Sequence, residues 1–599
     1  MTNSKYIYLL LIFCLAVALF AGLRRTLWST VDVDDTEIPS TVGASGASSL
    51  VQAAPISATT TVTATPGQLS STKRIPQSGG TFVQVVAQDA DTLNPLLTLN
   101  PTSRAVLQKI YPVLVDRDPV TGLPTIGRGL ATRWELANEG RTITFTLRSG
   151  VQWSDGAPVT ARDIKFTYDA ILDPTVENVY RENFANVNDV RLVEGNDQTL
   201  VIELANADCA ILQAMNQPIL PSHLYATYTA AQLADPNLRP QVSAGPFLLI
   251  DWIAGHRITL VRNAIYWEGA PQLDRWEFQI IADPIAQLQA LLDGKADWLE
   301  LTPAQIAPAQ AHPELTTYAA LADSLTFVAL NLANSQNPQA GRSTDGVLIT
   351  QEAHPILGDL RVRQALAKAV DATQILPEAY GRSGQALGTY ILPTIPWAYA
   401  DDLPPVGYTP TEAQQLLDAA GWRDSDGDGV RDRAGVPLSL SLLTNADSEP
   451  RTQLGQLLAL QWKAMGVNVR FEALAFDTVV NRLLALQYDM VLIGWDNLGP
   501  DPANSDFWHS RYDVPGNGAN FVSYQNPQVD TWLDEARTTP TCDPALRGKL
   551  YRQVQHQIYQ GLPYIMLSGQ IKRWAYPSAW QELHPAPWRF DYNAHRWWR

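Results

Sequence analysis

The segment Leu438–Trp495 carries the pattern that decides the fold. It opens with LSLSLLTN (438–445), in which apolar and polar residues alternate as they do in a β-strand. Two more strands are predicted at VNVRFEAL (467–474) and YDMVLIGW (488–495), and a stretch with helical spacing precedes each of them. Strands that alternate with helices form a largely parallel sheet covered by helices. Ligands in such sheets tend to bind beyond the carboxyl ends of the strands.

The loop that follows the third strand is the first candidate for a ligand site. It reads DNLGPDPANSDFW (496–508) and combines acidic groups with glycine and two prolines. Because it lies at a predicted strand end, we expect ligand contacts from Trp495, Asp496, Asn497, Leu498 and Asp501.

Four residues elsewhere in the chain are further candidates for ligand contacts. Trp397 lies in a loop-like setting after an apolar run, where a large ring forms the wall of a pocket or packs into the core. Arg451 begins a predicted helix, where exposed N–H groups already favour the carboxylate of a ligand. Asn100 and Thr102 follow the first strand of the body and could offer polar contacts.

The chain is acidic. Its net charge is −17 and its isoelectric point about 4.9, over 599 residues of which 46% are hydrophobic. A chain of this length and composition can bury a large core in several domain-sized units. An acidic surface repels nucleic acid, whose affinity for proteins rests mainly on Lys and Arg contacts to phosphates. We therefore predict no nucleic-acid partner.

The three cysteines are too few for a disulfide scaffold or a zinc protein. Cys14 lies in the amino-terminal apolar run. Cys209 and Cys542 could pair if the fold brings them together, but we favour two isolated buried thiols. No cofactor is predicted.

The amino terminus predicts the compartment. Tyr6–Leu23 is a run of 18 apolar residues after Lys5, long enough to span a bilayer, and Arg24 and Arg25 follow directly. For residues 1–28 we favour an uncleaved membrane anchor over a cleaved signal peptide, because no clear small-residue cleavage site precedes the arginines. Residues 29–77 are rich in Ser, Thr, Ala and Pro and predict a flexible linker. We expect a folded body tethered outside the cell membrane.

An acidic segment, DSDGDGVRDRAG, resembles a calcium-binding loop. Counted from Asp424, the residues Asp426, Asp428 and Asp432 fall at positions 3, 5 and 9 of the twelve-residue loop. Position 12 should be a bidentate Glu, but it is Gly435, and no helix obviously follows. We therefore favour a solvated acidic turn over a calcium site.

The segment Ala131–Ile171 closely resembles the signature of the family 5 solute-binding proteins, the extracytoplasmic dipeptide, oligopeptide and nickel-type receptors of ABC importers. The resemblance is strongest at WSDG (153–156), which we interpret as a turn after a strand, and continues to Thr160 and Asp163. Further matches follow in the same order from about Gly79 to Ser568, among them AGPFLL (244–249), YWEGAPQLDRWEFQII (266–281), YTPTEAQQLLDAAGW (408–422) and YQNPQVDTWLDEA (524–536).

The resemblance implies an α/β protein with the two-lobed type II periplasmic-binding-protein fold. It places the first lobe at 78–325, with an extra subdomain, the second lobe at 326–564, and a return to the first lobe at 565–599. The implied activity is the capture of a peptide or other small solute between the lobes and its delivery to an ABC permease in the membrane, without chemistry. We expect a monomer in the periplasm or at the cell surface.

The same resemblance makes a peptide ligand less certain. In peptide-binding relatives, an Asp at the third place after a similar Gly-Trp holds the ammonium group of the peptide. Here that place is Leu498, while Asp501-Pro502 matches the acidic-Pro that follows, and Asp496 lies two places early. The solute is then one that need not bind through a free α-amino group.

Two alternatives remain open. One is a membrane-tethered sensor or scaffold that uses the same fold without transport. The other is a hydrolase with Asp496 and Asp501 as paired carboxylates, but the glycine and proline between them fix no separation. The sequence contains no G-x-S-x-G, H-E-x-x-H or phosphate-loop motif, which favours the receptor.

Overall fold

The body of the protein consists of β-sheets flanked by helices, and the computed structural model describes residues 76–503 and 505–599. The segment Pro76–Arg599 forms one unit by its internal contacts. The predicted anchor and all but the end of the predicted linker lie outside the described residues. Among the helices that are described, none combines the length and the apolar character needed to cross a bilayer.

The amino-terminal half alternates short strands and helices. Its strands are β1 (Thr81–Val86), β2 (Asp116–Arg117), β3 (Pro124–Thr125), β4 (Ala131–Ala137), β5 (Thr142–Leu147), β6 (Val187–Val193), β7 (Asn196–Leu204), β8 (Phe247–Ile253), β9 (Arg257–Arg262), β10 (Arg275–Ile280), β11 (Leu299–Leu301) and β12 (Leu315–Leu321). Its α-helices are α1 (Pro101–Ile110), α2 (Ala161–Leu172), α3 (Ile211–Ala214), α4 (Ser222–Tyr225), α5 (Ala230–Leu233), α6 (Pro284–Leu292) and α7 (Pro303–Gln310).

The carboxyl-terminal half has longer helices. Its strands are β13 (Leu325–Leu330), β14 (Gly384–Ala386), β15 (Asp432–Arg433), β16 (Val436–Pro437), β17 (Ser439–Asn445), β18 (Asn468–Leu474), β19 (Met490–Trp495) and β20 (Tyr564–Pro577). Its α-helices are α8 (Leu360–Lys368), α9 (Ala372–Tyr380), α10 (Pro410–Ala419), α11 (Glu449–Lys463), α12 (Phe476–Leu484), α13 (Pro527–Thr538) and α14 (Pro544–Gly561). We call the elements up to β12 with residues 571–599 the first lobe, and the elements from β13 to α14 with residues 564–570 the second lobe.

The predicted strand–helix alternation in the second lobe is confirmed. Strand β17 pairs in parallel with both β18 and β19, and α11 and α12 form the crossovers. The apolar spacing of α11 buries Leu454, Leu458 and Trp462 in the same core as Leu440 and Leu442 of β17. Periodic burial of this kind is what holds an amphipathic helix against a sheet.

Helix α2 begins with a capping box. The backbone N–H of Thr160 donates to Asp163 Oδ2 at 2.8 Å, and the Thr160 hydroxyl accepts from the first turn of the helix. This reciprocal arrangement satisfies N–H groups that have no partner inside the helix.

The first lobe contains two four-stranded sheets. One has the order β1-β10-β9-β8, and its core includes Phe82 and Trp276 together with Trp597 from the end of the chain. The other is fully antiparallel with the order β4-β5-β7-β6 and lies within the first lobe, for which the resemblance implies an extra subdomain. Its assignment as a separate subdomain stays a prediction.

The two lobes share one strand. Residues 564–570 of β20 pair with β13 and β14 in the second lobe, and residues 571–577 pair with β11 and β12 in the first. The chain crosses in the other direction between β12 and β13, where Ala322 N–H donates to the Gln570 carbonyl at 2.8 Å. Both crossings therefore lie side by side. The exact lobe boundaries given by the resemblance stay predictions.

The expectation of two isolated thiols is wrong, because Cys209 and Cys542 form a disulfide. Cys209 lies between β7 and α3, and Cys542 lies between α13 and α14, so the bond joins the two lobes. Polar contacts accompany it: Cys209 N–H donates to the Arg537 carbonyl at 2.9 Å, and Arg537 donates to Asp208 Oδ2 at 2.8 Å. Residues 333 positions apart meet only through tertiary packing, which no local pattern reports.

Candidate functional site

The end of strand β19 lies beside the crossing between the lobes. Gly494 and Trp495 pair with Thr326 and Leu325 at the start of β13. A side chain at Gly494 would place its Cβ 2.7 Å from the Leu325 carbonyl oxygen, so the strands can approach only with glycine there. Trp495 stacks on Phe507 with their ring centroids 4.2 Å apart and nearly parallel planes. Trp495 is therefore held in place at the strand end, and its contact with a solute stays a prediction.

The next three residues form the turn that we predicted as ligand-contacting. Asp496 and Asn497 are exposed, and Asn497 has a φ of 57°, in the left-handed region that Asn tolerates better than most residues. The backbone N–H of Leu498 then donates to the Asp323 carbonyl at 3.0 Å. Asp323 belongs to the short crossing segment between β12 and β13, so this hydrogen bond fixes the loop at the boundary of the lobes.

Asp501 makes an internal ion pair. Its two carboxylate oxygens accept from Arg547 at 2.8 and 2.9 Å, and the side chains of Asp501 and Arg547 are only 8% and 4% exposed. Burial alone would lower the pKa of Arg547, but the Asp501 carboxylate raises it above its ordinary value. A two-point pair of this kind holds the loop to α14. Because its oxygens are already used, Asp501 is the predicted contact with the least freedom to bind a solute.

Trp397 belongs to the same cluster as Asp501. The Arg547 guanidinium lies 5.2 Å from the centroid of the Trp397 ring and 5.6 Å from that of Tyr551. Arg552 fixes the backbone by donating to the Trp397 carbonyl at 2.9 Å. The structure thus brings two predicted residues together around one arginine, to which the sequence had given no role.

Arg451 and Asp496 both act on the charge state of Tyr380. Burial raises the pKa of Tyr380, while the charge of Arg451 lowers it and that of Asp496 raises it. The Tyr380 hydroxyl lies 3.4 Å from Thr326 Oγ1, and Arg451 donates to Asn445 Oδ1 at 2.8 Å. The result is a polar cluster at the strand end with one cation and one exposed carboxylate. Tyr380 and Thr326 were missed, since neither stands in a motif.

On the first lobe, Asn100 and Thr102 support helix α1. The Asn100 side chain accepts from the N–H groups of Thr102 and Ser103 at 2.9 and 3.1 Å, which makes it the N-cap. The Thr102 hydroxyl donates to the Gln88 carbonyl at 2.9 Å, and the residue is buried. Asn100 followed by a proline is a helix-start pattern, so this capping role was readable from the sequence.

Two arginines of the first lobe, missed by the sequence reading, lie near the crossing. Burial, with repulsion from Arg104, lowers the pKa of Arg117 to about 10, and the Asp116 and Asp323 carboxylates oppose this shift. Arg104 is exposed on the first turn of α1, and Arg117 ends β2. Arg104 and Arg117 therefore add positive charge to this part of the first lobe, and the Asp323 carboxylate acts on Arg117 from the crossing.

The acidic loop is separate from these clusters. Oxygens of Asp424, Asp426 and Asp428 lie within 4.8 Å of one another, and all three residues are exposed. The Asp432 carboxylate accepts from the backbone N–H of Ser425 at 3.0 Å. The hairpin β15–β16 follows where a calcium-binding loop would continue into a helix. The structure places three of the four carboxylates together.

Comparison with known proteins identifies the family. The family model for bacterial extracellular solute-binding proteins, family 5 middle, matches residues 125–513 of this chain. The oligopeptide-binding protein AppA of Bacillus subtilis is 25% identical over 533 residues, covering 87% of this chain and 92% of that protein. Protein XP55 of Streptomyces lividans is 29% identical over 501 residues, covering 83% of this chain and 85% of that protein.

Solved structures agree on the fold. The structure of AppA from Bacillus subtilis in complex with a nonapeptide has a TM-score of 0.62 at 24% identity, covering 88% of this chain and 99% of the other. HbpA2 from Haemophilus parasuis has a TM-score of 0.72 at 21% identity, covering 85% and 98%. The predicted α/β type II periplasmic-binding-protein fold is confirmed. The chain belongs to the bacterial extracellular solute-binding proteins of family 5.

Proposed function

We propose that this solute-binding protein captures a small solute between its two lobes at the end of strand β19 and delivers it to an ABC-type permease. The observation that carries the proposal is the hydrogen bond from Leu498 N–H to the Asp323 carbonyl. It holds the strand-end loop against the crossing, where a ligand is within reach of both lobes. Closure of two lobes about such a crossing is a common way to enclose a ligand.

The chemistry of the loop supports a solute that is not held by its ammonium group alone. Leu498 offers no carboxylate, and Asp501 is already paired with Arg547. Asp496 is exposed and shares its surroundings with Arg451. AppA of Bacillus subtilis was solved with a nonapeptide, and NikZ of Campylobacter jejuni with Ni(L-His). We place a peptide-like solute and a metal chelate as equal candidates for this chain.

We also propose that the protein carries out no chemistry on the solute, acts as a monomer and is held at the outer face of the cell membrane by residues 1–28. The buried ion pair of Asp501 speaks against a hydrolase with Asp496 and Asp501 as its two carboxylates. The sensor or scaffold alternative differs only in lacking a permease, so co-purification of a permease with the full chain in detergent decides between them.

A ligand screen on the full chain in detergent tests the proposal. Peptides, oligosaccharides and metal chelates are added while tryptophan fluorescence and the melting temperature are followed. A solute present at a hundred times its Kd should stabilise the protein by about 2.7 kcal/mol, which is readily seen as a thermal shift. The matched control is Asp426→Asn, which removes an exposed carboxylate outside the strand-end clusters. If no compound class shifts the melting temperature at millimolar concentration, the proposal fails.

A further inference from the structure

A cavity in the first lobe, separate from the strand-end clusters, has an unusually charged lining. Its volume is about 100 Å³, and it lies between the carboxyl end of α1, strand β2 and the carboxyl-terminal segment 588–595. We call it the lobe-1 cavity. One water needs about 10–15 Å³ by the same measure, so the cavity has room for a group of several heavy atoms.

Cations outnumber carboxylates around the lobe-1 cavity. The cationic side chains in its lining are Lys109, Arg117, Arg128 and Arg589, and the carboxylates are Asp116, Glu268 and Asp591. With each group in its ordinary charge state, the lining carries a surplus of positive charge.

Asp116 and Asp591 are already paired with three of the cations, and Glu268 accepts a hydrogen bond from the Tyr266 hydroxyl at 2.7 Å. Lys109 is ion-paired with Asp591. Arg589 donates to Asp116 Oδ2 at 2.9 Å, and its Nε lies 3.5 Å from Asp591 Oδ1. The Nε of Arg128 lies 3.7 Å from the same Asp116 oxygen.

Arg117 is the fourth cation of the lining, and its side chain has no carboxylate partner among the described residues. Throughout the described residues its guanidinium makes no hydrogen bond and no ion pair, although its backbone N–H donates to Asp116 Oδ1 at 2.8 Å. Its Nε is shielded from solvent without an acceptor. A charged group with one N–H shielded from water and without an acceptor is costly, so an additional acceptor in the cavity would stabilise it.

The pKa shifts of Lys109 and Arg117 are consistent with an excess of positive charge around the cavity. Burial lowers the pKa of Lys109, and repulsion from Arg589 adds to this, although Asp591 opposes it. Asp116 and Asp323 partly compensate Arg117, yet burial and the charges of Arg104 and Arg589 still lower its pKa to about 10. An anion in the cavity would raise the pKa of both Lys109 and Arg117, because it favours their charged forms.

We propose that the lobe-1 cavity binds a small oxyanion, a carboxylate or phosphate group, with the Arg117 guanidinium as its main ligand. The planar fork of Arg matches the paired oxygens of such groups. No residue of the β19 end is in the lining of the cavity, so the proposed anion site does not depend on the proposed transport function.

The bound anion would fasten the carboxyl-terminal segment to the first lobe. That segment continues to the second lobe through Trp588, whose backbone N–H donates to the Pro119 carbonyl at 3.1 Å and whose Nε1 donates to the Thr394 carbonyl at 2.8 Å. Occupancy of the cavity should therefore stabilise the segment that touches both lobes.

The test uses the full chain with inorganic phosphate or acetate as the probe, against sodium chloride at matched ionic strength. Isothermal titration gives the affinity, and phosphorus NMR line broadening checks it for phosphate. Wild type should bind one of the two saturably at millimolar concentration, and Arg117→Gln should weaken binding about tenfold or more. Arg117→Lys should fall between them because it keeps the charge and loses the fork.

The matched control is Arg470→Gln, at a side chain that is 75% exposed, and it should bind as wild type does. Absence of saturable binding to wild type overturns the proposal, whatever the stability of the variants. Equal affinity in wild type and Arg117→Gln also overturns it, because the anion then binds elsewhere. Binding of phosphate alone identifies a phosphate site, and binding of acetate alone a carboxylate site.

Discussion

Removal of the disulfide between the lobes should lower the thermal stability by an amount that can be worked out from its position. Cys209 and Cys542 are 333 residues apart, and the chain-entropy relation for a loop of that length gives roughly 6 kcal/mol of stabilisation. This is an upper bound, because a denatured chain is more compact than the relation assumes.

That free energy converts into a modest temperature shift because the unit is large. Unfolding entropy is about 2.1 cal/mol/K per residue, or about 1.1 kcal/mol/K over Pro76–Arg599. The Cys209→Ser/Cys542→Ser variant should therefore melt up to about 5 °C below wild type. Scanning calorimetry of the oxidised protein measures this, with Cys14→Ser as the control that removes a thiol and leaves the bond.

Two further measurements make the reasoning refutable. Oxidised wild type denatured without reductant should expose one reactive thiol, and three after reduction. Dithiothreitol should lower the melting temperature of wild type to that of the double variant and leave the double variant unchanged. The stabilising disulfide would be refuted by three reactive thiols before reduction. Equal melting temperatures of the oxidised wild type and the double variant would refute it as well.

Three other changes have defined outcomes. Asp501→Asn leaves Arg547 buried without its charged partner and should cost about 3–5 kcal/mol in denaturant unfolding. Leu498→Asp should leave binding of the native solute no better, and a gain in peptide affinity would support the argument that the ammonium site is missing. Burial raises the pKa of Asp513 to about 7, against about 3.9 in the unfolded chain. The native state then holds this proton more tightly, so the contribution of Asp513 to stability is fully present below about pH 4 and is lost, by on the order of 4 kcal/mol, as the pH rises to about 7.

The Asp501 substitution and the pH dependence each have a control. Asp426→Asn removes an exposed carboxylate and should leave denaturant stability within about 0.5 kcal/mol of wild type, so a similar loss there would discredit the Asp501 interpretation. Asp513→Asn should flatten the pH dependence between about pH 4 and pH 7, and an unchanged slope would assign it to another group.

The fold was readable from the sequence where burial is periodic. The alternation at β17 and the helical spacing of α11 both report a face that packs on the core, and both elements form as predicted. The disulfide was not readable, because Cys209 and Cys542 are adjacent only after the lobes assemble.

The candidate site was predictable in part. The sequence correctly predicted that the loop after Trp495 lies at the end of a strand, because the location of a strand end follows from the topology of the sheet. The partner of each side chain could not be predicted: Arg547 reaches Asp501 from a helix 46 residues further along the chain. The same holds for Tyr380, whose pKa is affected by Arg451 and Asp496 although both lie far from it in the sequence.

The shared strand β20 and the disulfide together limit how the lobes can move. A rigid lobe attached to another at two separate places can rotate about the line that joins them but cannot translate away. Gly569, in the part of β20 beside the crossing, has no side chain, and a Cβ there would lie 2.8 Å from Leu321 Cδ1. We therefore expect the lobes of the oxidised protein to move mainly by rotation about the line between β20 and the disulfide, and we expect reduction to release one of these two attachments.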